Sequence, residues 1–218
     1  MRVEIDHAVG EDPSRGEIVV YGPNVMMGYH RRPEENAKAL MPDGGFRTGD
    51  LGYMDADGYL FVTGRIKEQY KLENGKYVMP SPLEEELKLS PFVANVMIYG
   101  DGRPFNVAIV APNEAAIREW AVRQELTLEK DITRDARVHE LIEGELELHS
   151  RGFKPFERPL AFALVPEDFT TQNGMLTPTL KLRRRDVVTR HTALLERLYA
   201  EKAPPARRDD ALTGRTLP

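Results

Sequence analysis

Residues Phe46–Leu72 read FRTGDLGYMDADGYLFVTGRIKEQYKL, and the rest of the chain is organised around them. Phe46–Met54 mixes aromatic, β-branched and polar residues, the composition of a strand. Asp55-Ala56-Asp57-Gly58 supplies a turn in which Gly58 takes positive φ at no steric cost. Tyr59–Thr63 is then the returning strand of a hairpin, apolar enough to be largely buried. Asp50 stands between Gly49 and Gly52, so little bulk surrounds its carboxylate and a ligand can come close to the backbone. Gly64-Arg65 ends the hairpin, and the charged run Ile66-Lys67-Glu68 opens a new segment.

Taken in order (TGDLG, then D-x-D-G-Y, then Gly-Arg followed at once by a charged linker), this stretch resembles the ribose-binding and hinge motifs of the adenylate-forming enzymes. That family includes acyl-CoA synthetases, firefly luciferase and the adenylation domains of peptide synthetases. Its members use ATP to turn a carboxylate into an acyl-adenylate, and most then pass the acyl group to a thiol. The resemblance implies an α+β chain. Residues 1–64 would form the β-rich, barrel-like end of a large N-terminal domain, and 65–71 a hinge linker. Residues 72–200 would form a small mobile C-terminal domain, and 201–218 a polar tail. The family's phosphate loop, roughly TSGTTG-x-PK, and its acyl pocket would lie far upstream, and nothing like that loop occurs in this sequence. The chain therefore reads as the C-terminal third of an acyl-CoA synthetase, inactive alone, either an expressed fragment or a truncated gene product.

Composition bounds the other classes. The 218 residues suffice for one or two domains, and 41% apolar with 30% charged residues suits a soluble globular chain. A net charge of −5 makes no general case for nucleic acid or an anionic membrane. With no cysteine, disulfides, thiolate nucleophiles and thiolate metal sites are excluded. No apolar run approaches the ~20 residues of a spanning helix, and the N-terminus MRVEIDHAVGEDPSRGE is too charged for a secretory signal. A cytoplasmic place follows as the expectation, free or peripheral at a membrane. His7, His30, His139, His149 and His191 are scattered, with no pair at metal-ligand spacing, so no protein metal site is expected.

Along the chain, Met1–Arg15 is polar and turn-rich, Gly16–Tyr21 a strand, and Pro33–Leu40 a short helix opened by proline. Tyr70–Leu72 and Lys76–Met79 flank Asn74-Gly75, a strong hairpin signal. Pro80–Ser90 is a helix with Ser81 as candidate cap, Glu84–Glu86 in its first turn, and Leu83 and Leu87 on one face. Val93–Gly100 and Asn106–Ala111 are strands. Asn113–Gln124 and Val138–Ser150 are helices, the first burying Ile117, Trp120 and Ala121, the second Val138, Leu141, Ile142 and Leu148. Leu160–Val165 is a short buried strand, Asp186–Ala200 one last helix, and Ala203–Pro218 a polar, frayed end.

Six residues are candidates for the site. A carboxylate accepts two hydrogen bonds at once, which suits the vicinal hydroxyls of a ribose, and the resemblance gives Asp50 that role; a turn-stabilising aspartate is the alternative. Arg65 at the domain border would face the nucleotide, or else form a surface ion pair with Asp50 or Glu68. The resemblance also places Val62 in the nucleotide site, makes Lys67 the pivot, and has Lys71 face the nucleotide in one of two domain orientations. Lys67 reads equally as a solvated linker lysine. Lys181 lies in TPTLKLRRR (177–185), which resembles the closing motif of long-chain acyl-CoA synthetases. There the lysine sits on a mobile loop and bridges the carboxylate oxygen and the α-phosphate during adenylation. Negative charge builds on phosphorus as pyrophosphate leaves, so a cation is called for. Other branches have glycine where this chain has Leu180. The alternative is a basic helix start, which opposes the helix dipole, and Arg183–Arg185 could instead meet the 3′-phosphate of coenzyme A.

The resemblance thus implies a long-chain fatty acid–CoA ligase. ATP, Mg²⁺ held mainly by the phosphates, and coenzyme A would be its cofactors and substrates. A fatty acid and the missing N-terminal domain would be its partners, with no nucleic acid and no transmembrane segment. An adenylation enzyme that loads a carrier protein, and a non-catalytic nucleotide- or partner-binding module, stay open beside it.

Overall fold

A computed structural model describes residues 1–8 and 14–202. Four antiparallel strands open the chain in the order β1 (Arg2–Asp6), β2 (Gly16–Tyr21), β3 (Phe46–Met54), β4 (Leu60–Arg65), with helix α1 (Pro33–Ala39) between β2 and β3. β1 falls within the segment expected to be turns. Its alternation of Val3 and Ile5 with charged residues pairs it with β2, Val3 opposite Val20 and Ile5 opposite Ile18. The sheet is an open meander with β1 and β4 at its edges, so the barrel-like sheet does not close among the described residues. The β3–β4 turn has Gly58 at φ 84°, as its sequence requires.

The returning strand departs from expectation. Tyr59 is 68% exposed and Val62 62% exposed, rather than buried. β4 is an edge strand, and its Phe61 stacks on Tyr53 of neighbouring β3, with rings 4.9 Å apart. An apolar strand becomes buried only when a second layer covers it.

After a 3₁₀ turn (Ile66–Glu68) the chain enters a layered α+β body. A short hairpin of β5 (Tyr70–Lys71) and β6 (Tyr77–Val78) precedes helix α2 (Pro80–Leu87). A second sheet has the order β7 (Val93–Tyr99), β8 (Asn106–Pro112), β9 (Pro159–Leu164); β7–β8 is antiparallel and β8–β9 parallel. Helices α3 (Glu114–Arg123) and α4 (Ala136–His149) form the crossover that a parallel pair needs. Strand β8 is covered on both faces, which explains its unbroken run NVAIVA. Ala108 and Val110 point into a core with Leu83, Leu87, Ile117 and Ile142. Val107 and Ile109 point into a second core with Phe169, Met175 and Leu195.

Three further expectations shift. Leu146, not Leu148, continues the buried stripe of α4, and Leu148 is 45% exposed. The last helix is two, α5 (Arg184–Arg190) and α6 (Thr192–Lys202), broken at His191, where Thr192 Oγ bonds back to the Val188 carbonyl at 2.9 Å. Ser81 does not cap α2: Met79 holds the N-cap position, and Ser81 and Glu84 lie inside the helix. The expected frayed end, Ala203–Pro218, lies outside the described residues.

Candidate functional site

A cleft of about 950 Å³ runs between the β3–β4 edge with its 3₁₀ turn on one side and α2, β7 and α5 on the other. Asp50, Val62, Arg65, Lys67, Glu84 and Lys181 are among its walls. Five of the six residues expected at the site therefore share one cavity. Lys71 does not; its Nζ lies 4.9 Å over the ring of Tyr77 on the β5–β6 hairpin, outside the cleft.

The Asp50 wall is built by a β-bulge. The β2–β3 register slips between Glu17 and Val19, and Gly49 takes φ 72°. The bulge leaves the Gly49 N–H off the ladder, and it donates to buried Glu17 at 3.0 Å. The other Glu17 oxygen accepts from Arg47 at 2.6 Å, and Arg47 also donates to Asp6 at 2.7 Å. Asp6 and Glu17 together hold the Arg47 guanidinium protonated even above its usual range. Thr48 Oγ donates to the Ile18 carbonyl at 2.8 Å and accepts from the Asp50 N–H at 3.0 Å. Asp50 then faces Arg65 directly across the ladder, Arg65 Nε to Asp50 Oδ1 at 2.8 Å. Glu17 gave no signal in the sequence beyond its place in a strand, because its partners are thirty or more residues away.

The 3₁₀ turn Ile66–Glu68 is clamped on its C-terminal side. Gly64 presses against Met79, where a Cβ would meet Met79 Cε at 2.6 Å, so no other residue fits without a shift. Glu68 accepts a hydrogen bond from Ser81 Oγ on α2. Tyr70, just beyond, is buried, and its hydroxyl donates to Asn106 Oδ1 at 2.6 Å; burial pushes the phenol far above its usual range. Lys67 itself is exposed in the middle of the turn.

The Lys181 wall is a tight hairpin. Leu180 N–H bonds to the Thr177 carbonyl at 2.8 Å, Thr177 N–H to the Lys181 carbonyl at 2.8 Å, and Lys181 N–H to Thr177 Oγ at 3.0 Å. This is a three-residue loop, Pro178-Thr179-Leu180, whose last member must be left-handed, and Leu180 sits at φ 59°. Glycine would take that conformation at no steric cost. Lys181, exposed, closes this loop and lines the cleft. The three arginines that follow separate. Arg183 pairs with Asp186 at 2.8 Å, Arg185 lines the cleft, and Arg184 turns inward to Glu84. Glu84 takes both guanidinium nitrogens at 2.7 Å, and Arg184 also donates to the Ile98 carbonyl at 2.8 Å. Burial opposes the charge on Arg184, but Glu84 outweighs it, so the guanidinium stays protonated above its ordinary range. The Arg run is the start of α5, with Arg183 at the N-cap, and within it Arg184 is a half-buried anchor with a charged residue on either side.

The donor set fits a nucleotide: a carboxylate for a ribose diol, and cations on both walls for phosphate oxygens. No group of three or more His, Cys, Asp or Glu that could hold a metal occurs among the described residues. No helix among them is long and apolar enough to cross a membrane.

Residues 67–145 match the family described as AMP-binding enzyme C-terminal domain. Long-chain-fatty-acid–CoA ligase 1 of Schizosaccharomyces pombe is 34% identical over 196 residues, 87% of this chain and 29% of that protein. Long-chain-fatty-acid–CoA ligase FadD15 of Mycobacterium tuberculosis is 33% identical over 187 residues, 84% of this chain and 31% of that protein. The adenylation domain of a carboxylic acid reductase from Segniliparus rugosus, solved with AMP and a co-purified carboxylic acid, superposes with a TM-score of 0.74 at 28% identity; it covers 92% of this chain and 31% of that one. The chain spans about 30% of the length of the curated relatives it matches. Cleft, fold and relatives agree: the chain carries the C-terminal domain of the AMP-binding, adenylate-forming enzymes.

Proposed function

We propose that this chain is the C-terminal part of a long-chain fatty acid–CoA ligase. The whole enzyme joins a fatty acid to ATP, giving acyl-adenylate and pyrophosphate, and coenzyme A then displaces AMP to give acyl-CoA. The observation that carries the reading is the meeting of Asp50, Arg65, Lys67 and Lys181 on one cleft, although Asp50 and Lys181 are far apart in sequence. Asp50 accepts from the ribose hydroxyls, and Arg65 fixes Asp50 while donating to the nucleotide. Lys181 stabilises charge shared between the carboxylate and the α-phosphate. Mg²⁺ enters with ATP and is held by the phosphates and by a preceding domain that supplies the phosphate loop and acyl pocket. Lys181 lines the cleft and Lys71 does not, which supports the adenylation arrangement in this reading. Rotation at Lys67 then brings the hairpin, with Lys71, into the cleft for thioester formation. The enzyme works in the cytoplasm, free or at a membrane's periphery.

The test is product formation by the full-length protein that contains this chain. With palmitate, ATP, Mg²⁺ and coenzyme A it should release AMP and palmitoyl-CoA, and the 218-residue chain alone should show no carboxylate-dependent ATP–pyrophosphate exchange. Exchange by the chain alone would sink the division of labour proposed. One observation favours a second reading: the similar A–PCP didomain is that of a carboxylic acid reductase, which pairs adenylation with a carrier. Transfer to a phosphopantetheinylated carrier, with coenzyme A inert, would establish that reading instead.

A further inference from the structure

Glu84 and Arg184 lie one hundred residues apart and meet in a two-pronged ion pair, side chains 6% and 25% exposed. Replacing a buried ion pair by apolar residues is often neutral or stabilising, so such a pair is weak evidence for stability. Arg184 follows Lys181 by three residues, immediately beyond the bridge Leu176–Leu182 that closes the lysine hairpin. The hairpin's own hydrogen bonds hold its shape, and Met175 seats its base in the second core. The Arg183 N–H also bonds to the Met175 carbonyl at 2.8 Å, and Leu176 and Leu182 pack on the same core. The Arg184 fork adds a tie to a different element: one guanidinium nitrogen is shared between Glu84 and the Ile98 carbonyl while the other is held by Glu84 alone. Glu84 is itself fixed by the Ile98 N–H at 2.7 Å. Three residues earlier on the same helix, Ser81 holds Glu68 of the 3₁₀ turn. Positions three apart share a helix face, so α2 grips the pivot at one end and the lysine hairpin at the other.

We propose that the Glu84–Arg184 pair is a positioning device that registers the Lys181 hairpin against α2, and through Ser81–Glu68 against the pivot, so that Lys181 enters the cleft at a fixed place. The proposal rests on the reading of Lys181 as the adenylation lysine. Arg184 and Glu84 are positioning residues; neither touches the reacting atoms.

The experiment compares R184M, R184K and E84Q with K181A in the full-length enzyme, and the same arginine and glutamate variants in the 218-residue chain. In the enzyme, R184M should lower adenylation by ~10–100-fold, the scale of a misplacement near 1 Å. KM for ATP, and thioester formation from supplied acyl-adenylate, should stay within about threefold. R184K keeps the charge without the fork, so it should behave as R184M in adenylation even where it folds better. In the chain, amide exchange should rise about tenfold or more across Thr177–Lys181 and stay unchanged in α3 and α4. Equal losses in both steps, rescue by R184K, or unchanged adenylation in a folded R184M or E84Q would overturn the proposal. K181A at the wild-type adenylation rate would remove the lysine reading itself, and exchange across the hairpin then decides alone whether the pair registers it.

Discussion

Asp50 and Arg65 are direct cross-strand partners on β3 and β4, with Arg65 Nε 2.8 Å from Asp50 Oδ1 at the mouth of the cleft. The side chains are 28% and 54% exposed, so solvent screens the pair and its worth to stability is below about 1 kcal/mol. The surface ion pair and the proposed nucleotide contact are therefore not rival descriptions, since the same contact aims the carboxylate and keeps the guanidinium beside it. Asp50→Asn should leave the urea midpoint of the chain nearly unchanged. In the full-length enzyme it should raise KM for ATP by about tenfold or more, the scale of a lost charged hydrogen bond. A large loss of stability with unchanged KM would return Asp50 to a turn-stabilising role.

Lys181→Ala separates the two half-reactions. The lysine is exposed and lines the same cleft as Asp50, just after the loop Pro178-Thr179-Leu180. Losing one charge-assisted contact made mainly in the transition state costs on the order of 3–4 kcal/mol, or ~10²–10³ in rate. Adenylation measured by pyrophosphate release should fall by that factor. Thioester formation from supplied acyl-adenylate should stay within roughly tenfold, because in the proposed cycle the domain has turned by then. Equal losses would make Lys181 structural.

What could be read from the sequence was local. The β3–β4 turn, the Asn74-Gly75 hairpin and the helix that starts at Asn113 each depend on residues within a few positions, and each stands where its sequence puts it. The five cleft residues were found through motif order, not through any contact the sequence displays. Hidden from it were the pairings between distant residues. Glu84 reads as a helix acid and Arg184 as part of a basic run until the fold joins them. Glu17 reads as an ordinary strand residue until the bulge at Gly49 turns an N–H toward it. The exposure of Tyr59 and Val62 was hidden for a different reason: an apolar strand states a need for cover and says nothing of what supplies it.

Leu180 should be replaceable with profit to stability. It holds φ 59°, a left-handed conformation that disfavours a residue with a Cβ by about 1–2 kcal/mol. Glycine relieves that strain but loses about 0.5–1 kcal/mol more backbone entropy on folding. Leu180 is 71% exposed, so little apolar burial is forfeited. Leu180→Gly should therefore stabilise the chain by up to ~1 kcal/mol in urea unfolding, while Leu180→Val, stiff at Cβ, should destabilise it. If Leu180→Gly is the less stable, the strain is not real.

His191 should make stability depend on mildly acidic pH. It sits at the break between α5 and α6, and its Nε2 is buried with no hydrogen-bond partner among the described residues. Burial lowers its pKa below the usual value; neighbouring Arg190 lowers it further, and Glu167, which is paired to Arg190 at 2.6 Å, opposes the shift only in part. The unfolded chain thus binds a proton at a higher pH than the folded chain. Stability from the neutral imidazole is complete above about pH 6.5 and declines as pH falls from there toward the lowered folded pKa. The carboxylates that also contribute, Asp6, Asp135 and Glu167 among them, have lowered folded pKa values and act only in more acidic solution. Urea midpoints measured from pH 7.5 to 5 should therefore fall in the wild type and stay flat in His191→Gln over the same range. A wild-type decline that survives in His191→Gln would assign the proton uptake to another group.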